Sequence, residues 1–176
     1  MGIFNRLKNL AKANSTKDDH DPYERTLMTI QVGDIVSIDH EDYEVEGKLV
    51  FNDDGWKWNE YKLKYGRSTY WLSVEEDDDI EIALYKEITP FTTEPFKTTE
   101  YEGVKYHLQE GSDAIVYDVD GKINLKKGMP VDYFEYSDLK EEKYLTVEIW
   151  DGEVEMSTGV PLEDFQIEIY PGQKSV

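Results

Sequence analysis

Apolar and polar residues alternate with a period of two over most of the chain from Leu27 onward, a pattern that predicts β-strands. Turn strings such as HED at 40–42 and NDDG at 52–55 separate the alternating segments. In the segment that begins at Trp56 the apolar phase shifts by one residue, which predicts a bulge or bend near Asn59–Glu60. One face of the segment before it is predicted to hold Tyr43, Val45, Leu49 and Phe51.

The first 26 residues depart from this alternation. Wound as a helix, the string MGIFNRLKNLAKA collects its apolar side chains on one side and its cationic side chains on the other. It therefore predicts a short basic amphipathic helix over residues 1–13, followed by a polar linker over 14–26. The residues predicted to contact a membrane or a partner are Ile3, Phe4, Arg6, Leu7, Lys8, Leu10 and Lys12.

Two stretches of the chain resemble each other. EYKLKYGRSTYWLSVEEDDDIEIA at 60–83 aligns with EYSDLKEEKYLTVEIWDGEVEMS at 135–157, with WLSVE above YLTVE at the centre. This repeat predicts a mostly β fold of two related antiparallel β units at 27–88 and 101–170, each a bent sheet or a small SH3-like open barrel. A connector rich in proline and threonine is predicted at 89–100, and a tail at 171–176.

The repeat bears on two local features. The acidic run Glu75–Asp79 falls on a hairpin tip whose counterpart in the second copy is IWDGE, which favours a solvated turn over a weak cation site. Trp71 and Tyr144 are equivalent positions opposite the predicted core face, where they either contact a ligand or pack against the other copy or the connector. The residues predicted as a ligand or partner surface are Trp56, Trp58, Tyr61, Trp71 and Tyr144.

Charge is distributed unevenly over the 176 residues. Residues 1–17 carry +4, so residues 18–176 sum to −24 against the −20 of the whole chain. A body this acidic repels the phosphate backbone, which argues against nucleic-acid binding. The chain has no cysteine, no apolar run of the ~18 residues that a membrane span needs, and no apolar core of a secretory signal. We therefore expect a cytoplasmic protein, with contact at the inner face of the membrane through the first helix.

Motifs that would identify an enzyme are missing. No glycine-rich phosphate loop and no nucleophile elbow occurs, and His20, His40 and His107 lack the spacing of a zinc pair. We expect no catalytic residues, no metal and no cofactor.

Three strings carry a family resemblance: VGDIVSIDHEDYEVEGKLVFNDDGWKWNEYKL, YWLSVEEDD and YLTVEIWDGEVEMSTGVPLEDFQI. The chain from about 29 to 169 resembles the bacterial domain-of-unknown-function family 4178. The opening MGIFNRLKNLAK is similar to the amphipathic helix of the phage-shock protein A family. The resemblance implies a role in envelope stress with a phage-shock-A-like protein partner, and it supplies no catalytic residues.

The sequence is compatible with three functions. The first is a non-enzymatic interaction module at the membrane surface. The second is a small-ligand binder or enzyme acting at a cleft between the two β units, near Trp58, Tyr61 and Trp71. The third is an acidic mimic of nucleic acid.

Overall fold

The computed structural model describes residues 24–172, and strands account for most of this range. A one-turn 3-10 helix, Asp164–Gln166, precedes the last strand, and no α-helix occurs among the described residues. The strands are β1 (Ile35–Ile38), β2 (Glu41–Asp53), β3 (Trp56–Tyr65), β4 (Ser68–Glu76), β5 (Ile80–Ile88), β6 (Thr98–Tyr101), β7 (Val104–Gly121), β8 (Pro130–Ser137), β9 (Tyr144–Trp150), β10 (Glu153–Leu162) and β11 (Ile167–Tyr170). The predicted helix at 1–13 and the linker as far as residue 23 lie outside the described residues.

All eleven strands belong to one antiparallel sheet, ordered β11-β1-β2-β3-β4-β5-β10-β9-β8-β7-β6. A further pairing of β2 with β7 joins the sheet to itself, so β2 to β5 and β7 to β10 close into an eight-stranded barrel. Strands β1, β11 and β6 extend the sheet outside the barrel.

The two copies of the repeat occupy equivalent places in this barrel. Glu60 lies opposite Ser73 across β3 and β4, and Glu135 lies opposite Thr146 across β8 and β9. Each copy is one meander of four strands, β2 to β5 or β7 to β10. The meanders meet through β2–β7 at one junction and β5–β10 at the other.

The mostly β fold is confirmed, but the prediction of two bent sheets or two small open barrels is wrong. Neither meander closes on itself, and each uses its two outer strands to pair with the other meander. The physical reason is that an unpaired edge strand exposes backbone donors and acceptors, which the mutual pairing satisfies.

Both faces of the barrel wall are buried. On the outside of the first meander, β1, β11 and the segment before β1 cover Tyr61, Leu63, Leu72, Val74 and Ile82. We call this cluster the first outer core. On the outside of the second meander, β6, the start of β7 and the 89–97 connector cover Tyr136, Leu145, Val147 and Met156, the second outer core. The inward-facing side chains fill the lumen.

This two-sided burial explains why the bulge was predicted in the wrong strand. Strand β3 pairs with β2 without interruption through Asn59 and Glu60, and the register shift lies in β2, between Val45 and Gly47. Tyr43 and Val45 therefore pack in the first outer core, whereas Leu49 and Phe51 face the lumen with Trp58. In β3, the buried apolar residues lie on the lumen face in the first part of the strand and on the outer face in the second part. The apolar pattern therefore shifts by one residue although the strand has no bulge.

A buried carboxylate joins the two ends of the described range. Asp34 is 1% exposed and accepts hydrogen bonds from the Arg25 guanidinium at 2.8 Å and from the Gly172 amide at 2.8 Å. It also accepts one from the Gln31 amide at 2.8 Å. The segment before β1 and the segment after β11 are thus held side by side.

The β2–β7 junction requires glycine at position 121. Gly121 has φ of +77°, and a Cβ there would lie 2.3 Å from the Glu46 carbonyl oxygen. We expect Gly121→Ala to lower the free energy of unfolding by about 3 kcal/mol or more, because the clash adds to the cost of a left-handed backbone. Urea denaturation followed by circular dichroism measures the change.

Gly128→Ala is the matched control for this substitution. Gly128 also has a positive φ, +90°, but a Cβ there would meet no atom within 4 Å. We expect it to lose only about 1 kcal/mol, the cost of the backbone conformation alone. Equal losses in the two variants would contradict a close approach of β7 to β2.

Candidate functional site

The lumen is built from alternate residues of the barrel strands, because successive side chains of a strand point to opposite faces. In the first meander, β3 and β4 contribute Trp56, Trp58, Glu60, Trp71, Ser73 and Glu75. In the second meander, β8, β9 and β10 contribute Tyr133, Glu135, Tyr144, Thr146, Glu148, Trp150, Glu155 and Ser157. Carboxylates and large aromatic rings therefore face each other across the barrel.

Aromatic rings from both meanders pack together in the lumen. Phe51 stacks on Trp58 with ring centroids 5.0 Å apart and lies 6.1 Å from Trp150. Trp58 meets Tyr133 edge to face at 5.4 Å. At the opposite end of β9, Tyr144 packs with Tyr85 and Ala83 of the first meander. Side chains of the two copies therefore pack against each other in the lumen.

The Tyr85 ring lies against Gly159, its neighbour on β10. A Cβ at position 159 would lie 2.4 Å from the Tyr85 ring. Burial raises the pKa of Tyr85 well above its ordinary value of 10.0, and nearby carboxylates add to the effect. The hydroxyl therefore stays protonated at neutral pH.

A partly open cavity of about 70 Å³ remains among these side chains, with Glu60, Glu135 and Glu148 half-buried and Glu87 and Glu155 exposed. It has room for on the order of two water molecules. Its indoles are those of Trp58, Trp71 and Trp150, and its carboxylates are those of Glu60, Glu87, Glu135, Glu148 and Glu155. No lysine, arginine or histidine occurs among the described residues that line it. The cavity is therefore strongly acidic.

A wider pocket of about 430 Å³ adjoins the cavity. The segment between β7 and β8 forms one wall of this outer pocket with Ile123, Leu125 and Met129. Residues that line both spaces are Trp71, Glu87, Leu125, Trp150 and Glu155. A ligand in the cavity therefore has a partly apolar route to solvent.

Every tryptophan of the chain donates its indole N–H to a glutamate. Two of these bonds join neighbours on one strand, Trp58 to Glu60 at 3.1 Å and Trp150 to Glu148 at 3.0 Å. The other two join different strands: Trp56 donates to Glu75 at 2.6 Å, and Trp71 donates to Glu87 at 2.8 Å. The indoles thus orient the carboxylates and partly compensate their loss of hydration.

Burial changes the ionisation of the lumen carboxyls. It raises the pKa of Glu60 from 4.5 to about 7; the Trp58 hydrogen bond opposes this shift and the charge of Glu155 adds to it. Burial also raises the pKa of Glu148 well above its usual range, with further contributions from the charges of Glu60 and Glu155. The pKa of Glu155 rises through burial and through the charge of Glu87. The cluster therefore retains protons near neutral pH.

Most residues of the predicted ligand surface meet in this lumen. Trp56, Trp58, Trp71 and Tyr144 all face it. Tyr61 does not, because it lies in the first outer core and its hydroxyl donates to the Leu27 carbonyl at 2.8 Å.

The acidic run also divides between two environments. Glu75 is buried and accepts the Trp56 hydrogen bond. Glu76 to Asp79 are exposed, and residues 77–79 form the bend between β4 and β5. Among the described residues, no group of three or more His, Cys, Asp or Glu side chains is arranged to hold a metal ion.

The lumen glutamates were missed in the sequence because 39 acidic residues offer too many candidates. The repeat contained a usable signal. It aligns Glu60 with Glu135 and Glu75 with Glu148, and those four positions all face the lumen. The lumen glutamates differ from the other acidic residues in that they recur at matching positions, on the same face, in both copies of the repeat.

Comparisons with known proteins support the family resemblance. The family described as a domain of unknown function, DUF4178, matches residues 31–164. An uncharacterized protein of Mycobacterium tuberculosis is 30% identical over 146 residues, 79% of this chain and 70% of the relative. An uncharacterized protein of Aquifex aeolicus is 26% identical over 181 residues, 96% of this chain and 97% of the relative. No solved structure matches the chain significantly.

The likeness of the first dozen residues to phage-shock protein A gains no support from these comparisons and falls outside the described residues. Within residues 24–172 no helix is long and apolar enough to cross a membrane.

Glu60 should make the stability of the protein depend on pH. Because its pKa is about 7 when folded and 4.5 as the ordinary value, the folded state binds the proton more tightly. This stabilisation is complete below pH 4.5 and is lost as the pH rises through 7, a change of about 3 kcal/mol. We expect Glu60→Gln to remove that loss, so that the variant is more stable than the parent at pH 8.

Urea denaturation between pH 4.5 and 8 measures this effect. The matched control is Glu44→Gln, which changes an exposed carboxyl on β2 and should keep the parental pH profile. A Glu60→Gln profile parallel to that of the parent would show that ionisation of Glu60 does not destabilise the folded state.

Proposed function

We propose that the chain, which belongs to the DUF4178 family, is a binding module that takes a small organic cation into its barrel. The observation that carries this proposal is the cavity on which three indoles and five glutamates converge. The proposed role is binding alone, in keeping with the non-enzymatic module that the sequence predicts.

The lining supports a cation over other ligands. Carboxylates attract positive charge, and indole faces bind ammonium groups through cation–π interactions. A small anion would meet five carboxylates and no basic side chain among the described lining residues. A bare metal ion is disfavoured because no described group of acidic or histidine side chains has the arrangement to ligate it.

The shape of the two spaces supports a ligand with two parts. A charged ammonium group suits the 70 Å³ cavity, beside carboxylates held by Trp71 and Trp150. A short aliphatic chain suits the outer pocket, along Ile123, Leu125 and Met129. We therefore propose a primary amine on a short alkyl chain as the class of ligand.

Butylammonium, butanol and butyrate test this proposal as probes of equal length and different charge. We expect butylammonium to bind and to change the tryptophan fluorescence, since Trp58, Trp71 and Trp150 line the cavity. Butanol should bind at least about tenfold more weakly and butyrate not measurably, because neither gains from the carboxylates. Isothermal calorimetry gives the affinities. Equal binding of butanol and butylammonium would overturn the proposal.

A substitution at the cavity tests whether butylammonium binds in the lumen. Glu87→Gln removes one charge that faces both the cavity and the outer pocket, and we expect it to weaken butylammonium binding about tenfold or more. Glu44→Gln removes an equal charge from an exposed position of β2 that does not line the cavity, and should leave the affinity within about twofold. The pair therefore separates a local effect from the overall field of the acidic body.

The membrane role predicted from the first residues is a second proposal, supported by the contrast between +4 over residues 1–17 and −24 over the remainder. In it, the basic segment 1–13 contacts anionic lipid at the inner membrane face, with a phage-shock-A-like partner. We expect the full chain to co-sediment with anionic vesicles and a chain lacking residues 1–13 to remain in solution. Neutral vesicles are the control, and equal pelleting of both chains would contradict the proposal.

A further inference from the structure

We infer that the lumen exchanges protons for its cation, so that an entering ammonium group releases protons that the glutamates hold between them. This inference rests on the proposed function, since it concerns the regulation of the same cavity. It starts from geometry: five carboxylates carried by β3, β5, β8, β9 and β10 line one cavity of about 70 Å³, three of them half-buried and two, Glu87 and Glu155, exposed at its edge.

Acidic groups outnumber basic ones on the lumen face. Lys62 lies at the outer pocket, and its ammonium group donates to the Lys122 carbonyl at 3.1 Å. Lys64 lies 3.9 Å from Glu46, and His107 lies opposite Ser137; neither lines the cavity. The titratable groups on the lumen face, strand by strand, are Glu44, Glu46 and Asp53 on β2, Glu60, Lys62 and Lys64 on β3, Glu75 on β4, Glu81, Tyr85 and Glu87 on β5, His107 and Glu110 on β7, Tyr133 and Glu135 on β8, Tyr144 and Glu148 on β9, and Glu153 and Glu155 on β10.

Protons are the charge that balances such a cluster when no ligand is bound. Several ionised carboxylates in one cavity repel one another, so the cluster holds protons at pH values where isolated carboxyls have lost them. The raised pKa of Glu60, Glu148 and Glu155 agrees with this arrangement. The indole donors do not exchange, because Trp58 and Trp150 keep their N–H at all relevant pH values.

An ammonium group in the cavity balances the carboxylate charge in place of these protons. Its positive charge replaces that of a proton, the proton passes to bulk water, and the freed carboxylate accepts a hydrogen bond from the ammonium group. The charge within the lumen therefore stays nearly constant while its occupant changes. It follows that affinity rises with pH as long as a proton must be displaced, and levels off once the carboxyls are ionised.

Calorimetry in two buffers tests the exchange directly. Butylammonium is titrated into the full chain at pH 7 in phosphate and in MOPS, whose heats of ionisation differ, so the difference in apparent enthalpy counts the protons released. We expect close to one proton per bound cation. Between pH 6 and pH 7 the affinity should rise about tenfold for each proton exchanged.

Glu148→Gln adds a residue-level test. It keeps an oxygen that accepts the Trp150 hydrogen bond and removes an exchangeable proton, so proton release and the pH dependence should both fall by about half. Glu44→Gln, at an exposed position of β2 that does not line the cavity, should retain both at the parental level. If Glu148→Gln does not fold, the two-buffer measurement on the parent decides by itself.

The outcomes separate this inference from the proposed function. Butylammonium that binds without proton release and with constant affinity from pH 6 to 8 would overturn the exchange and leave the cation site intact. An absence of butylammonium binding, or equal binding of butanol, would overturn the proposed function itself.

Discussion

Closure of the barrel through the β2–β7 and β5–β10 pairings is the constraint on which the rest of the structure depends. Each meander has two edge strands whose backbone groups need partners, and the other meander supplies most of them, while β1 and β6 pair with the first residues of β2 and β7. The junction at β2–β7 is close enough that Gly121 meets the Glu46 carbonyl. Once closed, the wall has an inside, and half of every strand must face it.

Closure also decides the chemistry of the lumen. A carboxylate on an open sheet would be hydrated, whereas Glu60 and Glu148 line the cavity and acquire a raised pKa. Their indole partners make this burial tolerable, because each supplies a donor where water has been excluded. The interior is therefore less stable than an apolar one of the same volume. That a fold retains so unfavourable an arrangement is the physical basis for assigning function to it.

Sequence reasoning went further with the strands than with the site. The alternation located the strands, and the repeat aligned Glu60 with Glu135 at positions that the structure makes equivalent. It also selected Trp71 and Tyr144, because aromatic rings opposite a predicted core face required an explanation. The bulge was misplaced because the pattern was interpreted as one buried face, whereas β3 is buried first on one side and then on the other. The glutamates were passed over because each, taken alone, is indistinguishable from a solvated acid.

The sequence by itself determined the β-strands, the duplicated unit and the excess of acidic residues, since alternation, similarity and charge are local properties of a chain. Only the tertiary structure decided that the two units share one barrel, because pairing between distant strands leaves no periodic trace in either of them. The same closure decided which acids are solvated and which are enclosed. Glu75 and Glu76 are neighbours of identical chemistry, yet one accepts an indole hydrogen bond in the lumen and the other faces water. Burial is a property of the assembled wall, and the residue type does not reveal it.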